Sequence, residues 1–138
     1  KDLIYLLFDD DLGKGRENIS ETSFNNYKKS FMKILNDTNN EIFVMVLNDQ
    51  IIGMMQLTFI PGLSMEGMTR CQIESVRIKK DYRNKGYGSE LIKKGIEIAK
   101  LNKCGLIQLT SNKERLKAIN FYKKLGFLST HISFKLDL

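Results

Sequence analysis

Val76-Arg77-Ile78-Lys79-Lys80-Asp81-Tyr82-Arg83-Asn84-Lys85-Gly86-Tyr87-Gly88-Ser89 passes from a β-type segment through a short basic loop with two glycines and into a helical pattern. Such a passage favours an anion. Glycine permits backbone conformations in which several N–H groups converge, and a helix N-terminus adds partial positive charge. Arg83 and Lys85 add full charges, so a pyrophosphate is the natural occupant. Spacing narrows the choice. The dinucleotide fingerprint needs a third glycine three positions after Gly88, where Leu91 stands. The pattern G-x-x-x-x-G-K-[ST] is absent; Gly62 to Gly67 has the gap but continues with Met68. What remains is Arg-x-x-Gly-x-Gly after a strand. Taken alone, that is equally a tight turn with no ligand.

Outward from this stretch, the periodicities define the fold. Arg70 to Ile78 reads as a strand, and Leu91, Ile92, Gly95, Ile96 and Ala99 mark a helix through 88–102. Gly105 to Thr110 is a short buried strand. Leu116, Ile119, Phe121, Tyr122 and Leu125 make a helix closed by Gly126 as a left-handed cap. Phe127 to Leu138 returns to strand character. Upstream, Glu41 to Leu47 and Ile51 to Phe59 are strands joined by a hairpin at Asn48-Asp49-Gln50. Pro61-Gly62 opens a loop to Thr69. Leu3, Ile4, Leu7 and Phe8 predict a short first helix. Phe24, Tyr27, Phe31, Ile34 and Leu35 predict a second, capped by Ser20 or Thr22 and stopped at Asn36-Asp37. An antiparallel front half followed by β-α-β implies one α/β domain over 1–138, with a mixed, mostly antiparallel sheet and helices on both faces.

The chain has 138 residues and a net charge of +6, a first pointer to nucleic acid. Resolved along the chain, the charge is uneven. Residues 1–76 hold 7 Lys/Arg against 11 Asp/Glu, a net of −4; residues 77–124 hold 14 against 4, a net of +10; the rest is neutral. The basic band surrounds the glycine loop, where a small polyanion explains it. A nucleic-acid module ranks low, because no aromatic RNA-binding pattern, zinc motif or basic heptad helix is present. Asp9-Asp10-Asp11 reads as a solvated helix end or as an attractor of a cationic substrate. Two cysteines and one histidine exclude a four-cysteine or multi-histidine metal site. No apolar run approaches the roughly 20 residues of a membrane-spanning helix. No secretory signal opens the chain, so a cytoplasmic protein with free thiols is the expectation.

The run IESVRIKKDYRNKGYGSELI, followed by LIQLTSNKERLKAINFYKKLGF, resembles the GCN5-related N-acetyltransferase (GNAT) superfamily. Arg83-Asn84-Lys85-Gly86-Tyr87-Gly88 matches its acetyl-CoA pyrophosphate motif, and Ala118 to Phe127 its helix-and-strand motif near the C-terminus. The pair, about 30 residues apart in that family's order, is far more specific than either alone. The resemblance covers most of 40–138. The family's first β-strand, which precedes the first helix, is not visible here. The C-terminal stretch is similar to aminoalkylphosphonate N-acetyltransferases.

The resemblance implies acetyl transfer from acetyl-CoA to an amine by direct attack, with a small-molecule amine as acceptor and homodimers common. Attack needs a neutral amine, hence a base. Glu74 takes that position, expected to share a strand face with Val76 and Ile78 and to be desolvated there; the other reading is a solvent-facing glutamate. Tyr122 matches the general acid that protonates the CoA thiolate, against a packing role on its helix. Val76, Arg77 and Ile78 are expected to meet pantetheine as an added strand does. Asn84, Lys85, Gly86, Tyr87, Gly88 and Ser89 hold the pyrophosphate with Arg83. Asn112 either contacts pantetheine or caps a helix. A peptide amine acetyltransferase and a catalytically silent acetyl-CoA sensor share the same fold. Met54 and Met55 read as core, and Cys71 and Cys104 as buried small residues. His131 is expected to be packed or exposed rather than catalytic.

Overall fold

The computed structural model describes residues 1–9 and 15–138. Its elements follow the sequence periods closely: α1 (Asp2–Phe8), α2 (Glu21–Leu35), β1 (Asn40–Leu47), β2 (Gln50–Ile60), the single turn α3 (Ser64–Gly67), β3 (Arg70–Ile78), α4 (Tyr87–Leu101), β4 (Leu106–Leu109) and α5 (Leu116–Lys124). Ser20 caps α2, its hydroxyl oxygen accepting from the Ser23 N–H at 3.3 Å. The β1–β2 hairpin turns on Asn48 (φ 49°) and Asp49 (φ 58°), two short polar residues that tolerate the left-handed conformation a tight hairpin demands.

The sheet order is β1-β2-β3-β4, antiparallel from β1 to β3 and parallel between β3 and β4. A parallel neighbour requires a crossover, which α4 supplies. The α4 side of the sheet holds the core. Met55, Leu57 and Phe59 of β2 and Cys71 and Ile73 of β3 pack with Leu91, Ile92, Ile98 and Ala99 of α4. Gly95 lets that helix come close, because a Cβ there would stand 3.1 Å from the Met55 Sδ. Phe121, Tyr122 and Leu125 of α5, with Phe127 behind them, extend the same cluster. On the opposite face α1 lies against β2 and β3, where Leu6, Ile52 and Met54 are buried.

Two expectations change. Phe127 to Leu138 forms no strand: Leu128, Ile132, Phe134, Leu136 and Leu138 are 82% to 118% exposed. Alternation gives a strand its two faces, but a strand also needs a neighbour's hydrogen bonds, and no strand among the described residues supplies them. Of the acidic run, Asp9 is bound to the loop after β3, accepting from the Lys80 N–H at 2.8 Å and pairing with Arg83 at 3.3 Å. Asp9 therefore latches α1 to the basic loop. Asp10 and Asp11 lie outside the described residues. No described helix is long and apolar enough to cross a membrane.

Candidate active site

The centre of β3 is irregular. Its register with β2 shifts between Met54 and Gln56, and Ser75 adopts φ 52°, the signature of a β-bulge. The bulge overturns one expectation. Regular alternation would set Glu74, Val76 and Ile78 on one face, but the extra residue reverses the parity. Cys71, Ile73, Val76 and Ile78 all pack on the α4 side, leaving Glu74 exposed on the other face. Its carboxylate is thus solvated rather than desolvated among Ile73, Val76 and Ile78.

The bulge also coincides with a parting of strands. The β3–β4 ladder runs from Arg70↔Leu106 to Ile73↔Leu109 and stops, while β3 continues to Ile78. Glu74 to Ile78 therefore has no β4 partner, and a wedge opens between it and residues 110–112. The Lys79 N–H donates to the Ile52 carbonyl at 2.8 Å, so by strand alternation the main-chain groups of Ile78 and Val76 face the wedge. There the Val76 carbonyl accepts from the Arg77 Nη1 at 2.9 Å, and the Ile78 carbonyl from the Arg83 Nε at 2.8 Å. Each carbonyl keeps a second lone pair, so a ligand strand still finds main-chain partners.

At the end of β3 the chain turns through Lys80–Tyr82 into the glycine loop. Asn84 (φ 61°) and Gly86 (φ 90°) take left-handed conformations on either side of Lys85. This alternation turns successive N–H groups toward one side, as in an anion nest. The Ser89 and Glu90 N–H groups donate to the Gly86 carbonyl. Among the described residues, those of 84–88 have no backbone acceptor. A Cβ on Gly86 would meet nothing within 4 Å, so the space above the loop is open. Lys85 Nζ lies 5.6 Å from the centre of the Tyr82 ring, and Tyr82 in turn packs at 6.2 Å against Tyr87. Open space, unpaired amides and the α4 N-terminus fit a pyrophosphate. Arg83 also has partners within the chain. Its guanidinium bonds the Ile78 carbonyl, the Asp9 carbonyl at 2.7 Å and the Asp9 carboxylate, contacts that tie the loop to α1 and β3.

Tyr122 lies half-buried on α5, with Phe121 at 5.1 Å and Phe127 at 5.8 Å between ring centres. Burial pushes its phenol above the ordinary tyrosine pKa, while the charges of Arg115 and Arg77 partly oppose this. A phenol so placed keeps its proton at neutral pH. Asn112 resolves toward its local alternative: its side-chain oxygen accepts from the Glu114 N–H at 3.0 Å. It caps the turn before α5 rather than α5 itself, whose N-cap is Arg115. Tyr122 and Asn112 thus follow the β4 side of the wedge, and Val76, Arg77 and Ile78 form its β3 side.

Other features were not foreseen from the sequence. Ser111, just past β4, has a buried hydroxyl oxygen with no hydrogen-bond partner among the described residues. The sheet face carrying Glu74 also holds a row of amides and hydroxyls. Gln108 Nε2 donates to Gln72 Oε1 at 2.9 Å, and Asn40 Oδ1 accepts from Gln56 Nε2 at 3.1 Å and Thr58 Oγ1 at 2.7 Å. The signal was present as Gln56 and Thr58 in β2 and Arg70, Gln72 and Glu74 in β3, each two positions apart. The loop Ile60 to Arg70 joins the far end of β3 from the glycine loop, with Met65 exposed and Met68 packed over Gly105. Cys71 is buried, its thiol pushed up to about 11 by burial, and His131 is exposed beside Thr130; neither has a place in the wedge.

This wedge and loop can be set beside known proteins. Glucosamine 6-phosphate N-acetyltransferase of Trypanosoma brucei brucei is 33% identical over 89 residues, 64% of this chain and 58% of that protein. Streptothricin acetyltransferase A of Bacillus subtilis is 44% identical over 57 residues, 41% of this chain and 32% of that protein. The chain spans less than two thirds of the length of these curated relatives. A crystal structure of a protein described as a transcriptional regulator from Bacillus halodurans C-125 is 40% identical. It covers 99% of this chain and 93% of its own, with a TM-score of 0.94. The model of the acetyltransferase (GNAT) family matches residues 3–127, a span that includes the bulged strand, the glycine loop and α5: the chain belongs to the GNAT acetyltransferase family.

Proposed function

We propose that residues 1–138 are one cytoplasmic N-acetyltransferase domain that moves an acetyl group from acetyl-CoA to a small-molecule amine. The observation that carries this reading is the continuity of two features. The free main-chain edge of β3, opened by the Ser75 bulge, runs directly into the unpaired amides of 84–88. An extended pantetheine pairs along the first while its pyrophosphate sits on the second. Val76, Arg77 and Ile78 supply the edge; Asn84, Lys85, Gly86, Tyr87, Gly88 and Ser89 supply the cradle. Arg83 holds the loop in shape.

In the reaction, the amine nitrogen bonds the thioester carbonyl carbon and the carbon–sulfur bond breaks. Glu74, solvated beside the opening, accepts the amine's proton, directly or through water. Tyr122, which is protonated at neutral pH, gives its proton to the departing thiolate. The T. brucei and B. subtilis relatives are named for glucosamine 6-phosphate and streptothricin, which supports a small acceptor. Incubating the chain with acetyl-CoA and a panel of amino sugars, aminophosphonates, polyamines, amino acids and aminoglycosides tests the reading by free thiol release. Amine-dependent release with at least one class is expected; hydrolysis alone, or silence across the panel, counts against it.

A second reading draws on the description of the B. halodurans protein and on the +10 band. It is a nucleic-acid-binding regulator. Salt-sensitive DNA binding without affinity for CoA would favour it.

A further inference from the structure

We infer that the acceptor is an amino sugar whose hydroxyl groups are read by Gln72 and Gln108, on the sheet face beside Glu74. This rests on the acetyltransferase reading above. Asn40, Thr58, Gln72 and Gln108 stand in one row across the four strands, paired Asn40↔Thr58, Thr58↔Gln72 and Gln72↔Gln108. All four are uncharged and half-buried. The two halves of the row differ. On β1 and β2 the groups satisfy one another: Asn40 Oδ1 accepts from Gln56 and Thr58, and Asn40 Nδ2 donates to Asp37 Oδ2 at 2.6 Å. On β3 and β4 a single bond joins Gln108 Nε2 to Gln72 Oε1. The amide N–H groups of Gln72 and the amide oxygen of Gln108 therefore keep no partner among the described residues. Neither is a buried orphan, so both meet solvent.

A donor and an acceptor side by side match hydroxyl groups, which give one hydrogen bond and take others. An ammonium or a carboxylate uses only half of such a pair. Turning both amides over exchanges the two roles and leaves the same offer. Position ties the pair to the reaction. Gln72↔Gln108 is the last rung on this face before β3 and β4 part. Glu74 follows two residues along β3, about 7 Å at the rise of an extended strand. An amine held at Glu74 thus has the rest of its molecule over the two amides, a reach that one sugar ring covers. Arg70 stands two residues beyond Gln72 on the same face, opposite Leu106. A second cationic group on the acceptor would meet that guanidinium, which disfavours polyamines.

The test compares kcat/KM, read as thiol release from acetyl-CoA, for glucosamine, cyclohexylamine and spermidine. Cyclohexylamine is a ring amine without hydroxyls, and spermidine carries further cations. Glucosamine should exceed each by about 10²-fold or more, because a site built to bond hydroxyls leaves its polar groups unpaired against an analogue that lacks them. Gln72→Leu and Gln108→Leu each remove one amide at similar size. Each should cut the ratio of glucosamine to cyclohexylamine by about tenfold or more, with CoA affinity by calorimetry retained. A merely structural role would lower both amines alike and keep the ratio. Cyclohexylamine, spermidine or any panel amine other than an amino sugar turned over as well as glucosamine overturns the inference and leaves acetyl transfer standing. A ratio unchanged in both variants does the same. Silence with every amine overturns the acetyltransferase reading and this inference with it.

Discussion

Replacing Gly86 by Ala strikes the one residue in the loop whose backbone no other side chain adopts comfortably. Its φ of 90° costs an L-residue about 1–2 kcal/mol. Alanine regains part of that by restricting the unfolded chain, about 0.4–1 kcal/mol. No steric clash contributes, since a Cβ meets nothing within 4 Å. The net destabilisation is therefore about 1 kcal/mol, and at this size a melting temperature lower by about 3–5 °C. Gly67 provides the control: it too has a positive φ, 81°, and open space around its Cβ, but it lies in the loop before β3. Gly67→Ala should lower the melting temperature by a similar amount. Only Gly86→Ala should weaken CoA binding in calorimetry, by about tenfold. That corresponds to one lost hydrogen bond to a charged phosphate, about 1.5 kcal/mol. If Gly86→Ala bound CoA as the unsubstituted chain does, or Gly67→Ala lost binding equally, the assignment of the cradle to 84–88 would be refuted.

Three further expectations follow from the same geometry. Glu74→Gln should depress turnover at neutral pH by about 10²-fold or more while leaving acetyl-CoA affinity nearly intact; unchanged turnover removes Glu74 from the mechanism. Tyr122→Phe keeps the ring contacts to Phe121 and Phe127 and removes only the hydroxyl, so kcat should fall with little change in melting temperature. Full activity in that variant would leave only a packing role. Cys71 carries a pH dependence of stability. Its folded pKa is raised from 9.0 to about 11, so its contribution is complete below pH 9 and lost as pH rises toward 11. Two units correspond to about 2–3 kcal/mol. Across pH 8 to 11 the unfolding free energy of the chain should fall relative to that of Cys71→Val, and parallel curves would contradict it.

Much of this molecule is written locally. The Asn48-Asp49 turn, the Ser20 cap, the Gly126 end of α5 and the glycine loop are each decided by residues within a few positions of one another, and they were legible. The parity of β3 was not. A single left-handed residue, Ser75, reverses which side chains face the core, and nothing in Glu74-Ser75-Val76 marks it. The bulge shows only in the register of β3 against β2. The contact of Arg83 with Asp9 was not legible for a similar reason, since the two lie 74 positions apart. The strand pattern of 128–138 was visible in the sequence, but among the described residues no strand pairs with it.

The most direct test compares CoA with pantetheine as ligands of the same protein by titration calorimetry. Pantetheine retains the arm that pairs with Val76 and Ile78 but lacks the pyrophosphate assigned to 84–88. The structure predicts that CoA binds measurably and that pantetheine binds far more weakly, with the difference shrinking as salt is raised. Equal affinities, or no binding of CoA at low salt, would contradict the claim that the opened strand and the glycine loop form one cofactor site.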